Sequence, residues 1–230
     1  MQTEAEKYLI KILQNILLTW KNISQKIKII NLGAAQSTVV EKALLGDKNP
    51  KQAEFICDRV DIQDCRVDEP YVNKSFISAL EDLNTLQSDY YDVAFANFVL
   101  EHVIKPKEAA QAMARILKTK GELVLSLSNP LAPEFLLAKL TPTNFHQIFR
   151  EEGHDEAYPV QYAYKSIKKF ISIMEQSGFE LLEKKYFPAT YSYLHCFPII
   201  NQLSRLYDWI LIKTRCFLLM GHAVLHFKKK

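Results

Sequence analysis

The chain has 230 residues, 48% hydrophobic and 24% charged, with a formal net charge of +3. That balance fits one globular domain with a sizeable core and excludes a disordered or low-complexity chain. The charge excess is too small to argue for nucleic acid, and much of it sits in the terminal Lys228-Lys229-Lys230, read as a solvated tail.

In chain order, Leu9, Ile12, Leu13, Ile16 and Leu17 form a helical stripe within Glu4–Trp20, read as a helix packed on a sheet, with a lid over a ligand crevice as the alternative. Ile27–Leu32 is apolar and β-branched, the pattern of a central buried strand. Thr38–Leu45 predicts a short helix closed by Gly46, and Ala53–Cys57 a second strand ending at Asp58. Lys74–Ala79 and Asp92–Asn97 predict strands three and four. Pro106 opens a helix through Leu117, stopped by Gly121, and Glu122–Leu127 is strand five. Residues 131–159 break the rhythm with Pro, His and aromatic residues and read as an insertion above the strand ends. An amphipathic helix over Lys165–Gln176, strand six at Phe179–Phe187 and a last strand at Gly221–Phe227 follow. Ile199, Leu203, Leu206 and Ile210 fall at helical spacing. That stripe is read as core, with a membrane surface or a second subunit as alternatives.

This alternation predicts an α/β doubly wound sheet with right-handed crossovers in a single domain. Its parts are an N-terminal helix (1–26), a ligand-binding core (27–130), a lid insertion (131–164), and a C-terminal helix and strand pair with a helical insertion (165–230). Cys57, Cys65, Cys196 and Cys216 show no CxxC spacing, and the acidic N-terminus is unlike a secretory signal. A cytoplasmic, reducing setting is expected. Cys216–Phe227 is interrupted by Gly221 and His222 and is shorter than the roughly 20 residues of a membrane-spanning helix.

Function concentrates at two strand ends. After strand one, Asn31-Leu32-Gly33-Ala34-Ala35-Gln36-Ser37 is a turn of small residues that lets backbone approach a ligand. An acid at the end of strand two accepts two hydrogen bonds from a ribose diol. Asp58 is the candidate and Asp61 its competitor. A nicotinamide-dependent oxidoreductase stays open on these features, as does a binding protein of the same fold without activity. His102, just past strand four, is a candidate general base, with local packing as the alternative. His146, His154 and Tyr158 are candidate acceptor-binding residues. No metal site is expected, because His146, His154 and Asp155 match no ligand spacing.

With the strand-one turn, the strand-two acid, Tyr91-Asp92-Val93, Leu100-Glu101-His102-Val103, Ala114-Arg115-Ile116-Leu117-Lys118 and Gly121-Glu122-Leu123-Val124, the chain resembles the class I, Rossmann-like S-adenosylmethionine-dependent methyltransferases. The small-molecule group called methyltransferase type 11 is the nearest in outline. The resemblance covers roughly residues 25–130. It implies a seven-stranded, mostly parallel sheet of order 3-2-1-4-5-7-6 with helices on both faces and an antiparallel last strand. It further implies S-adenosylmethionine as cofactor and methyl transfer to a small-molecule or lipid-like acceptor. Carried over, Asn31, Gly33, Ala34 and Ala35 wrap the methionine part and Asp58 the ribose. Leu80 and Glu81 lie by the adenine, and Ala96 and Asn97 meet the methionine amino group. The chain departs from the pattern at Asn31, where an acid is usual, at Ala35 and Ser37, where glycines are usual, and at Ala79, where an aspartate is common. Residues 59–73 are poorly helical where such proteins have a helix.

Overall fold

Ile27–Leu32 is apolar on both faces, and in a computed structural model it forms β1, an interior strand of a seven-stranded sheet. The structure describes residues 2–20, 26–46, 55–140, 159–193 and 198–230, apart from the side chains of 137–140 and 192–201. The other strands are β2 (Phe55–Asp61), β3 (Val72–Ile77), β4 (Tyr91–Asn97), β5 (Leu117–Ser128), β6 (Phe179–Phe187) and β7 (His222–Lys229). Their order is β3-β2-β1-β4-β5-β7-β6, the order predicted. Neighbours are parallel except at β7, which runs antiparallel to β5 and β6.

Alternation along the strands splits the core in two. Ile29, Val93, Phe95 and Val124 face α1 (Glu4–Trp20) and α2 (Val39–Leu45), where Leu9, Leu13 and Ile16 are buried. The α1 stripe is therefore core, not a lid. On the other face, Ile30, Leu32, Ala94 and Leu123 meet Met113 and Ile116 of α3 (Pro106–Ile116) and Phe170 and Met174 of α5 (Ile167–Gln176). The Ser166 hydroxyl caps α5 by accepting from the Lys169 amide at 3.2 Å.

Two boundaries differ most from expectation. β2 runs on past Cys57 to Asp61, because Arg59 and Val60 keep pairing with Asn31 and Leu32. β5 starts at Leu117, directly after α3. Tyr91 pairs with Leu117 and Val93 with Glu122, so residues 118–121 form a bulge with Lys120 at φ +65°. A Cβ on Gly121 would stand 2.8 Å from the Lys118 carbonyl, so this glycine serves the bulge and not a helix stop. The β2–β3 connection carries no helix over 62–71. Within the expected lid, Pro133–Leu140 forms α4, and Tyr164 is core, its hydroxyl donating to the Ser128 carbonyl at 2.5 Å. His146, His154 and Tyr158 lie outside the described residues. A turn, α6 (Thr190–Tyr193), and a long helix, α7 (Pro198–Thr214), fill the space between β6 and β7.

Candidate functional site

A cavity of about 470 Å³ opens where β1, β2 and β4 end, within the size range of small-molecule sites. It lies where crossovers leave β1 in opposite directions, toward β2 and toward β4, the place where open α/β sheets take ligands.

One wall is the turn after β1. Gly33 and Ala34 amides donate to the Val60 carbonyl at 2.8 and 3.2 Å, and the Ala35 amide donates to Asp61 Oδ2 at 2.9 Å. Gly33 sits at φ +72° and Ala35 at +44°. A Cβ on Gly33 would stand 2.3 Å from a methyl of Val99, so the residue is glycine because the loop after β4 packs onto it. Space for a ligand is a secondary reason.

Behind the turn is a buried cluster that the sequence reading missed. Arg59 and Asn31 are cross-strand neighbours, and both bond Glu41 of α2. Arg59 Nη1 lies 2.9 Å and Asn31 Nδ2 2.8 Å from Glu41 Oε1. Arg59 Nη2 donates to the carbonyls of Ala34, Ala35 and Ser37 at 3.1, 3.2 and 2.8 Å. The ion pair is excluded from water, with side chains 0% and 1% exposed. A planar fork is the group that can hold one carboxylate and three carbonyls together. Glu41 lines the cavity, and its Oε2 is buried with no hydrogen-bond partner.

The acid that ends β2 and lines the cavity is Asp61, not Asp58. Asp58 sits three residues inside the strand, 4% exposed and outside the cavity lining. It accepts from Tyr91 Oη at 2.7 Å, Asn73 Nδ2 at 2.9 Å and the Lys74 amide at 3.1 Å. It ties β2, β3 and β4 together, and burial with this bond holds the Tyr91 phenol well above its usual range. Asp61 lines the cavity.

Asn97 lines the cavity too, but Ala96 is fully buried between strands and does not, because the end of β4 is one residue further on. The Asn97 amide donates to Glu6 Oε1 at 2.9 Å, and its oxygen accepts from Ser126 Oγ at 2.5 Å, locking α1 to β4. Leu80 and Glu81 both line the cavity. Glu81 Oε1 accepts from the Ile104 and Lys105 amides at 2.9 and 3.3 Å, just before α3.

Beyond β4, Phe98 at φ +55°, Val99, Val103 and Ile104 give an apolar wall. His102 lines it as well, its Nδ1 3.3 Å from the Pro159 carbonyl. A carbonyl only accepts, so that nitrogen carries a proton. Beneath this wall Glu101 is 4% exposed, and burial pushes its carboxyl up to about 7 although Ser128 Oγ donates to it at 3.0 Å. His222 packs tilted against Phe98 with centroids 4.6 Å apart, and burial pushes its imidazole down to about 4. Among the described residues, no group of three His, Cys, Asp or Glu side chains is placed to hold a metal ion.

Comparison with known proteins gives this geometry its context. A family model described as a methyltransferase domain matches residues 1–184. No curated protein sequence matches the chain significantly. Among solved structures, the fold is similar to a putative sarcosine dimethylglycine methyltransferase from Galdieria sulphuraria, with TM-score 0.61 and 13% identity over 98% of this chain and 84% of that one. It is also similar to a geranyl diphosphate methyltransferase in complex with SAM, with TM-score 0.60 and 11% identity over 98% and 90%. A SAM-dependent methyltransferase from Archaeoglobus fulgidus gives TM-score 0.57 and 16% identity over 97% and 94%. With its sheet order, strand-one turn and Leu100–Val103 signature, the chain belongs to the methyltransferase domain family, in the class I group whose cofactor is S-adenosylmethionine.

Proposed function

We propose that the chain transfers the methyl group of S-adenosylmethionine to a small, apolar or lipid-like acceptor in the cavity at the ends of β1, β2 and β4. The observation that carries this reading is the convergence on one cavity of the strand-one turn, the Asp61 carboxylate and the apolar wall Phe98–Ile104. The residues fit the cofactor. Asp61 offers a carboxylate to the ribose diol, and Leu80, Val103 and Ile104 offer flat apolar surface to the adenine. The unpartnered Glu41 Oε2 offers an acceptor to the ammonium.

Bound there, S-adenosylmethionine supplies an electrophilic methyl on a sulfonium. The protein's contribution is to align the acceptor atom with that methyl and exclude water. Arg59 fixes the turn, Asp61 fixes the sugar, and Phe98 and Val99 close the dry side. His102, on the cavity wall, is our candidate to take the proton of an acceptor O–H or N–H, a role worth about 10²–10⁴-fold in rate. A reducing, cytoplasmic setting suits the free thiols of Cys57, Cys65 and Cys216. No helix among the described residues is long and apolar enough to cross a membrane.

A second reading, a binding protein of the same fold without activity, rests on the chain's departures at Ala35, Ser37 and Ala79 from the usual glycines and aspartate. A nicotinamide enzyme has only the shared strand–turn–helix to rest on. Calorimetric titration with S-adenosylmethionine and S-adenosylhomocysteine, with NADH as control, tests all three. Binding of both adenosyl ligands followed by methylation in an acceptor screen supports transfer. Binding with no acceptor found across apolar alcohols, amines and lipids favours the second reading. Selective NADH binding overturns both.

A further inference from the structure

We propose that the outward face of α7, with the turn that follows it, docks the protein on an anionic lipid bilayer. A helix on a water-soluble domain normally turns its apolar stripe inward. Here α7 packs inward through Ser204, Asp208 and Leu211, which are 3%, 9% and 2% exposed. Two of those three are polar, and Asp208 Oδ2 accepts from the Tyr191 amide at 3.0 Å. Leu203, Leu206 and Ile210, spaced three and four apart, point the other way and are 63%, 54% and 42% exposed. Trp209 and Ile212 flank them, and Phe217 and Leu218 extend the surface through the next turn, all exposed.

Charge selects the occupant. The exposed cations of this segment are Arg205, Lys213 and Arg215, and Asp208, the one acid between Pro198 and Leu219, is buried. An apolar face with basic residues and a tryptophan at its border suits an anionic headgroup layer over acyl chains. A second copy meeting this face about a two-fold axis would set a segment whose exposed charges are all positive against an identical segment.

The face also lies at the right end of the molecule. Asn129 Nδ2 donates to the Leu218 and Met220 carbonyls, both at 2.9 Å, just past the end of β5. That is the sheet end at which the cavity opens, where Asn97 pairs with Ser126 of β5. Docking brings the cavity to the bilayer side. The docking itself does not rest on methyl transfer, so its test needs no turnover.

The experiment is co-sedimentation of the full chain with vesicles of phosphatidylcholine, alone or with phosphatidylglycerol, at low and high salt. We expect partition to the phosphatidylglycerol vesicles, weakened by salt. Lys213→Glu/Arg215→Glu should weaken it at least about twentyfold, since each basic residue near an anionic surface contributes roughly fivefold. Leu206→Glu/Ile210→Glu should abolish it. All four positions are exposed, and an unchanged melting temperature confirms that the variants fold. Three results would overturn the proposal: no partition, equal partition to neutral vesicles, or partition unaffected by both variants. Light scattering showing a dimer that Leu206→Glu dissolves, without vesicle binding, would reassign the face to contact between copies.

Discussion

Replacing Arg59 by methionine tests whether the buried guanidinium builds the cofactor turn. Methionine keeps much of the volume and removes the charge. It leaves the Glu41 carboxyl, 1% exposed, without its cation, and it strips a donor from the carbonyls of Ala34, Ala35 and Ser37. Breaking a buried ion pair on one side costs about 3–5 kcal/mol. For a chain of this size each kcal/mol shifts the melting point by about 2–4 °C, so a fall of about 6–20 °C is expected. Adding Glu41→Gln removes the orphaned charge and should recover part of that loss, leaving the cost of unpaired carbonyls at about 1–3 kcal/mol for each one that water cannot reach. Arg59→Lys should fall between, because an ammonium cannot span the carboxylate and three carbonyls at once. The assay is thermal unfolding paired with calorimetric titration of S-adenosylhomocysteine below the variant's melting point. An Arg59→Met protein within about 1 kcal/mol of the parent, with unchanged affinity, would refute the argument.

The two aspartates should separate cleanly. Asp61→Asn should weaken S-adenosylhomocysteine binding about ten- to a hundredfold, the worth of a charge-assisted bond, at little cost in stability. Asp58→Ala should leave affinity unchanged yet destabilise by about 1–3 kcal/mol, because Tyr91 Oη loses its acceptor in the core; reversed outcomes in calorimetry and urea unfolding would return Asp58 to the site. Gly33→Ala should destabilise by about 2–4 kcal/mol, from a left-handed backbone and a methyl driven into Val99, and Val99→Ala should restore part of that. Glu101 predicts a pH dependence. Its folded pKa, raised to about 7, lies above the unfolded value of 4.5, so its penalty is absent below about pH 4.5 and grows as pH rises to about 7. Glu101→Gln should therefore stabilise by up to about 3 kcal/mol at pH 8 and by nothing at pH 4; a pH-independent difference in urea midpoints would rule this out.

Periodicity made much of this architecture readable. β1 and β4 and the stripes of α1, α3 and α5 stand where the apolar spacing puts them, because each buries an unbroken apolar run or stripe. The end of β2 was not readable, so the sequence left Asp58 and Asp61 as competitors for the acid at the cavity. Arg59 and Asp61 look like loop residues until the partners that permit their burial are known: for Arg59 a carboxylate on a helix fourteen or more residues earlier and the turn carbonyls, for Asp61 the Ala35 amide. One signal was available: Cys57, Arg59 and Asp61 alternate, as residues on one face of a continuing strand do. The turn was legible at Gly33 because backbone permissiveness is a property of the residue itself. Its true neighbour, Val99, lies beyond β4 and has no trace in local pattern.

The same cluster explains how a turn poor in glycine can serve a cofactor site. Ala35 occupies the left-handed region at φ +44°, which costs a residue with a Cβ about 1–2 kcal/mol. Two bonds hold it there from opposite sides: its amide donates to Asp61, and its carbonyl accepts from Arg59. Where relatives of this fold use glycine, this chain uses side-chain restraint, so the two devices should be interchangeable. Ala35→Gly in the parent relieves strain but raises unfolded-state entropy by about 0.4–1 kcal/mol, so stability and cofactor affinity should hardly move. In the Arg59→Met background, alanine is free to leave the left-handed region and spoil the cavity wall, whereas glycine stays at little cost. Ala35→Gly should then recover a measurable part of the lost affinity for S-adenosylhomocysteine. Calorimetry on the four proteins of this double-mutant cycle reads the coupling directly. If the two substitutions simply add, the guanidinium supports the fold without shaping the turn, and the departure from the glycine pattern needs another cause.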